Sequence, residues 1–239
     1  MAQPIAPSIG LRFENIDKRY GGLYALRRLN LEVAAGECVA LAGRNGSGKT
    51  TLLRIAARLA RPTHGRISYT GSSMDSETGQ PDAAHAKIGF VAHATMAYDE
   101  LTAEENLKLF AGLQRVENAA QRVAQLLEQV GLRERKDSQV RTFSRGMRQR
   151  VAIARALLHE PSVLLFDEPS TGLDPEGVSW LAQTLRRMRD AGCTILMSVH
   201  GESEVAALAT RAVRLEAGKI AADTRAGAKV SAILRFADA

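Results

Sequence analysis

The run Gly43-Arg44-Asn45-Gly46-Ser47-Gly48-Lys49-Thr50 has the pattern G-x-x-x-x-G-K-[ST], and its residue types suit one task. Glycines let the backbone curl until its N–H groups point inward, where they bind phosphate oxygens. Lys49 supplies a positive charge for the β- and γ-phosphates of a nucleotide, and the Thr50 hydroxyl supplies a ligand for Mg²⁺. Thr51 joins Arg44, Asn45 and Ser47 as a nucleotide-binding candidate. A helix starting near Lys49 adds the positive end of its dipole. The second constellation is Val163-Leu164-Leu165-Phe166-Asp167-Glu168, an apolar strand ending in two carboxylates. At the carboxyl end of a parallel strand these acids face a nucleotide crevice. Asp167 is placed to hold Mg²⁺, directly or through water, and Glu168 to act as general base on an attacking water. An acidic strand end alone is common. Beside a phosphate loop it points to nucleotide hydrolysis.

Those residues need a sheet to hold them. Leu11, Phe13 and Ile16 alternate imperfectly, whereas Leu29, Leu31 and Val33 alternate cleanly, as half-buried strands do. Cys38 to Ala42, Ser162 to Phe166 and Thr194 to Val199 are short apolar runs that fit buried parallel strands. Leu52, Ile55, Ala56 and Leu59 have helical spacing, with Pro62 as the stop. Thr102 and Glu105 form a capping box for a helix through Leu107, Phe110 and Ala111. Val123, Leu126, Leu127 and Val130 mark another helix, ended by Gly131, and Val178, Leu181, Leu185 and Met188 a third. Strands alternating with helices imply an α/β fold with a parallel sheet and helices on its faces, and the nucleotide-binding core is also expected to carry an antiparallel β part. The stretch of about 97–158 reads as an inserted helical subdomain within a single domain, 1–239.

Composition narrows the classes. The chain has 239 residues, 45% hydrophobic and 24% charged, which excludes a disordered or collagen-like chain. Its apolar runs fall far short of the roughly 20 residues that span a bilayer. The first ten residues carry no signal-peptide pattern, and two distant cysteines, Cys38 and Cys193, suit a reducing compartment. The net charge of +6 is spread along the chain without a run of five like charges. Nucleic acid is therefore not expected as a partner, although the basic balance alone would suit nucleic acid or an anionic membrane surface.

Together these motifs resemble the ATP-binding domain of ABC transporters over about residues 11 to 220. Phe143-Ser144-Arg145-Gly146-Met147 is similar to that family's signature, usually Leu-Ser-Gly-Gly-Gln, with Ser144 and Gly146 in the matching places. Ser170 to Asp174 resembles its D-loop, His200 its switch histidine, and Tyr20 the aromatic that stacks on adenine. Tyr24 is the other candidate for that stack. The resemblance implies ATP and Mg²⁺ as cofactors, with Lys49, Glu168 and His200 catalytic. It implies a head-to-tail partner, a second ATP-binding domain supplied by another chain, identical or related. It also implies a separate transmembrane permease, with this chain peripheral at the cytoplasmic face of the cell membrane.

Two departures stand out. Arg145 replaces the first signature glycine, either as a cation near phosphate or as a side chain in solvent. His93 stands where the family usually has a glutamine that approaches Mg²⁺, and is expected to replace it as a metal-site residue. His93, Leu101-Thr102 and Glu105-Asn106-Leu107 look most like the ATP-binding subunits assigned to haem export in cytochrome c maturation. A rival reading is a soluble ATPase of the same type working in assembly or nucleic-acid processing. It lacks a second cassette, a long coiled-coil insertion and an aromatic-rich basic patch. A GTPase or small-molecule kinase fits less well: there is no Asn-Lys-x-Asp run, and the signature would be unexplained.

Overall fold

A computed structural model describes residues 9–70, 88–92, 95–201, 203–227 and 229–235. Strands β1 (Gly10–Tyr20), β2 (Leu23–Val33) and β4 (His64–Thr70) form an antiparallel sheet in the order β2-β1-β4. The larger sheet has the order β5-β6-β7-β3-β8-β9, from β3 (Cys38–Ala42), β5 (Ile88–Val91), β6 (Val163–Asp167), β7 (Thr194–Ser198), β8 (Arg211–Glu216) and β9 (Lys219–Asp223). Its pairings are parallel except for β8 with β9. The helices are α1 (Lys49–Ala56), α2 (Ala103–Leu113), α3 (Ala119–Gln129), α4 (Arg145–Leu157), α5 (Pro175–Asp190) and α6 (Val230–Arg235). The expected α/β fold, with a parallel sheet, an antiparallel part and helices inserted between β5 and β6, is what the chain adopts.

The two-residue period of β3 explains why this strand is apolar throughout. Val39 and Leu41 enter one core with α1 and the antiparallel sheet, whereas Cys38, Ala40 and Ala42 enter a second core with α2 to α5. Every residue of β3, β6 and β7 is buried. Burial pushes the Cys38 and Cys193 thiols up to about 12, so both stay neutral and unreactive.

Local chemistry sets the boundaries. The uneven spacing of Leu11, Phe13 and Ile16 follows from a register shift between Phe13 and Ile16, where Asn15 takes φ 50. The extra residue returns Ile16 to the buried face. Thr102 and Glu105 exchange bonds of 3.1 and 2.8 Å at the start of α2. One expectation needs correcting. Helix α1 does not continue through Leu59 to Pro62; it stops at Ala56. Arg58 is left-handed (φ 56), and the N–H groups of Leu59 and Ala60 both turn back to the Arg54 carbonyl. Leu59 is thereby released to the surface, 62% exposed.

A half-buried ion network pins the β8–β9 end of the large sheet. The Arg211 guanidinium donates to both Asp223 carboxylate oxygens (2.8 and 2.5 Å) and to the Glu32 carbonyl (2.6 Å), and it faces Glu37 at 3.4 Å. The hydrogen bond from Arg211, opposed by burial, holds the Asp223 carboxyl below its ordinary 3.8. Removing one partner strands the others in a low-dielectric site. Arg211→Ala is therefore expected to destabilise the fold by about 3–5 kcal/mol, read from the denaturant midpoint. The Asp223 contribution is complete above pH 3.8 and is lost as pH falls through the lower folded pKa. The gap between Arg211→Ala and parent should close in that acid range, and a gap independent of pH would contradict the pairing.

Candidate active site

The loop between β3 and α1 is shaped by backbone that other residues cannot copy. Gly43 and Gly48 take φ 137 and 111. A Cβ at Gly43 would run into the Leu215 carbonyl, and one at Gly48 would lie 2.7 Å from the Ala25 carbonyl. The loop is thus clamped between β2 and the β8–β9 turn, where Gly218 donates to the Ser47 carbonyl at 3.1 Å. Gly43, Arg44, Asn45, Gly46 and Ser47 line an open hollow of about 440 Å³ together with that turn.

Lys49 is buried at the base of the loop. Its ammonium donates to the carbonyls of Gly43 (2.5 Å) and Arg44 (3.2 Å). Burial lowers its pKa, while the charges of Glu168 and Asp167 pull the other way. Ser47 is buried too, and its Oγ has no hydrogen-bond partner among the described residues. A buried hydroxyl left so costs about 1–3 kcal/mol. An anion seated in the glycine cradle would satisfy it, so the residues fit a phosphate group.

The strand ends complete the arrangement. Asp167 is buried, and its Oδ1 accepts from Thr50 Oγ1 at 3.0 Å and from Ser198 Oγ at 2.9 Å. The Glu168 N–H donates to the same Ser198 hydroxyl at 2.8 Å. Glu168 is left-handed at φ 55, and its Oε1 lies 2.6 Å from His200 Nε2. With the carboxylate ionised, Nε2–H is the donor. A hydroxyl and a carboxylate side by side at a phosphate loop are hard oxygen ligands of the kind Mg²⁺ takes. Thr51 follows on α1, half-buried. Sequence reasoning missed Ser198, which ties Asp167 to Glu168. Its signal was slight: the only polar residue between Leu196 and Val199, two positions before His200.

The other candidates lie apart. Tyr20, 51% exposed, ends β1 with the Lys18 ammonium 4.9 Å from its ring centre. Tyr24 has two guanidiniums over its ring, Arg19 at 4.2 Å and Arg27 at 4.5 Å, which leaves Tyr20 the more open surface for a base. Ser144 caps α4, its Oγ accepting from Met147 N at 3.3 Å, and Gly146 sits in the first turn. With Arg145, Gly172 and Asp174 they line a hollow that shares no residue with the one at the phosphate loop. His93 lies outside the described residues.

A phosphate loop between a buried strand and a helix, with an Asp-Glu pair at the end of a parallel strand two places away in the same sheet, defines a P-loop nucleoside-triphosphate hydrolase. Residues 26–171 match the ABC transporter family, and the chain belongs to it. It is an ATP-hydrolysing cassette of that family, whose hydrolysis is coupled to transport. ABC transporter ATP-binding protein NatA of Bacillus subtilis (strain 168) is 39% identical over 200 residues, 82% of this chain and 80% of that protein. Nod factor export ATP-binding protein I of Cupriavidus metallidurans is 36% identical over 211 residues, 87% of this chain and 69% of that one. Among solved structures, the dimeric post-hydrolysis state of the ATP-binding cassette MJ0796, bound to ADP and Pi, superposes with a TM-score of 0.80. Its identity is 29%, over 89% of this chain and 97% of that chain.

Proposed function

We propose that this chain works as one of a pair of cassettes and drives a separate membrane permease from the cytoplasmic face of the membrane. Each ATP would lie between the 43–50 loop of one cassette and the Ser144 turn of the other. The two hollows share no lining residue within one chain, which suits a nucleotide held between two copies. In this reading the whole chain, 1–239, is a single domain, with 97–158 as its helical subdomain.

The observation that carries the chemistry is the contact of Glu168 with His200 beside the Thr50–Asp167 bond. Lys49 leaves the loop carbonyls to meet the β- and γ-phosphates, and Tyr20 stacks on adenine. Thr50 and Asp167 would hold Mg²⁺, with His93 nearby from the resemblance. The ion, when bound, neutralises charge on the transferring phosphate. Glu168 takes a proton from the attacking water, and His200 orients its carboxylate through Nε2. Ser198 fixes both acids from the sheet side.

An apolar hollow supports the permease as a partner. Leu59, Phe90, Met96 and Phe110 line an apolar hollow beside the edge strand β5. An apolar patch outside the nucleotide hollows suits a protein interface, here the permease. On cargo, the resemblance favours haem export. Asn106 binds the Tyr98 backbone on both sides and Leu107 is buried in the core, so both serve the fold. Thr102 and Glu105 likewise serve the α2 cap. The haem reading therefore rests chiefly on His93. Expressed with its neighbouring genes, the chain is expected to purify from membranes with a multi-span protein. Recovery wholly in the soluble fraction, with no membrane protein, would favour the soluble ATPase.

A further inference from the structure

Helix α4 is tied at two points to the chain that follows Glu168. Gln149, 6% exposed, donates from Nε2 to the Pro169 carbonyl at 3.2 Å. One turn earlier the Arg145 side chain lies against Gly172, so closely that a Cβ there would overlap its Cδ and Nε. Gly172 takes φ 83, and the loop between the two ties closes on itself. Thr171 N–H reaches the Glu168 carbonyl, and Leu173 N–H the Ser170 carbonyl, both at 3.2 Å.

These ties bear on Glu168 because its backbone is strained. A non-glycine residue in the left-handed region costs on the order of 1–2 kcal/mol and persists only where its surroundings enforce it. Ser198 holds the Glu168 N–H from the sheet side. From the other side, α4 holds residues 169 and 172. Arg145 is a poor choice for α4 itself, since no acid occupies the first turn and a cation there opposes the helix dipole. The loop it touches gives this side chain a role beyond the helix.

We propose that Arg145 and Gln149 are positioning residues that brace the 169–172 segment and thereby aim the Glu168 carboxylate. This rests on the reading of Glu168 as general base. Because Ser144 sits in the same turn, the brace joins the surface that meets the second cassette to the chain's own base.

The test is steady-state ATP turnover by the purified full-length chain. Arg145→Gly and Gln149→Leu are expected to lower kcat about tenfold with KM within about twofold, since small misplacement of a reacting group slows chemistry without weakening binding. Arg145→Lys keeps the aliphatic stem over Gly172 and is expected to retain most of the activity. Gly172→Ala should cost more in the parent than in the Arg145→Gly background, the non-additivity of groups in contact. Arg145 is exposed, so Arg145→Gly folds even where Gln149→Leu does not. Unchanged kcat in Arg145→Gly, or additive effects with Gly172→Ala, overturns the brace alone. A parent that binds ATP without hydrolysing it overturns the assignment of Glu168 and the brace with it.

Discussion

Glu168→Gln is expected to bind ATP and hydrolyse it at least about 10²-fold more slowly, accumulating as an ATP-bound dimer. The amide keeps the size of the carboxylate but cannot accept a proton from water. The backbone is unaffected by the exchange: the Glu168 N–H bond to Ser198 and the left-handed turn do not involve the side chain. His200 retains a hydrogen-bonding partner, because an amide oxygen accepts from Nε2–H as the carboxylate oxygen does. Binding and chemistry are thus separated. Phosphate release measures the slow step, and light scattering with Mg²⁺ and ATP measures the dimer. Near-parent turnover would place the general base elsewhere, and a monomer at saturating ATP would contradict the paired arrangement.

Lys49→Ala is expected to weaken ATP binding at least about tenfold, since hydrogen bonds to a charged group are worth about 1.5–3 kcal/mol each and 1.4 kcal/mol is a factor of ten. Two losses combine. The phosphates lose a buried cation in a site where charge is poorly screened. The carbonyls of Gly43 and Arg44 also lose the donor that holds the loop in shape. Burial lowers the Lys49 pKa, and a phosphate beside it would favour the charged form. ATP titration calorimetry checks the result. An unchanged Kd would refute the phosphate-loop reading.

The phosphate loop, the capping box at Thr102 and the helix stop at Gly131 could all be read directly, and each is a local pattern. A glycine cradle, a Ser/Thr-x-x-Glu cap or a two-residue alternation is encoded within a few neighbouring residues. The buried strands at Cys38 to Ala42, Ser162 to Phe166 and Thr194 to Val199 were legible for a related reason: apolar runs on both faces require a sheet covered twice. Even the irregular start of β1 carried its signal, since the missing alternation at Ile16 was the register shift itself.

Other features join residues distant in the chain, and no local pattern encodes such a meeting. Ser198 bridges Asp167 and Glu168 across the 31 and 30 positions that separate them. Arg211 meets Glu37, 174 positions away. Helix α1 ended early because Arg58 took a left-handed turn, which its sequence does not announce as glycine would. The role of Arg145 was undecided from its position, as a cation near phosphate and a side chain in solvent have the same local appearance. Contact with Gly172 depends on how α4 packs beside the end of β6. Composition and spacing settled which chemical groups this chain carries and where regular structure begins. Close packing of distant segments settled which of those groups touch, because that depends on the three-dimensional path of the chain between them.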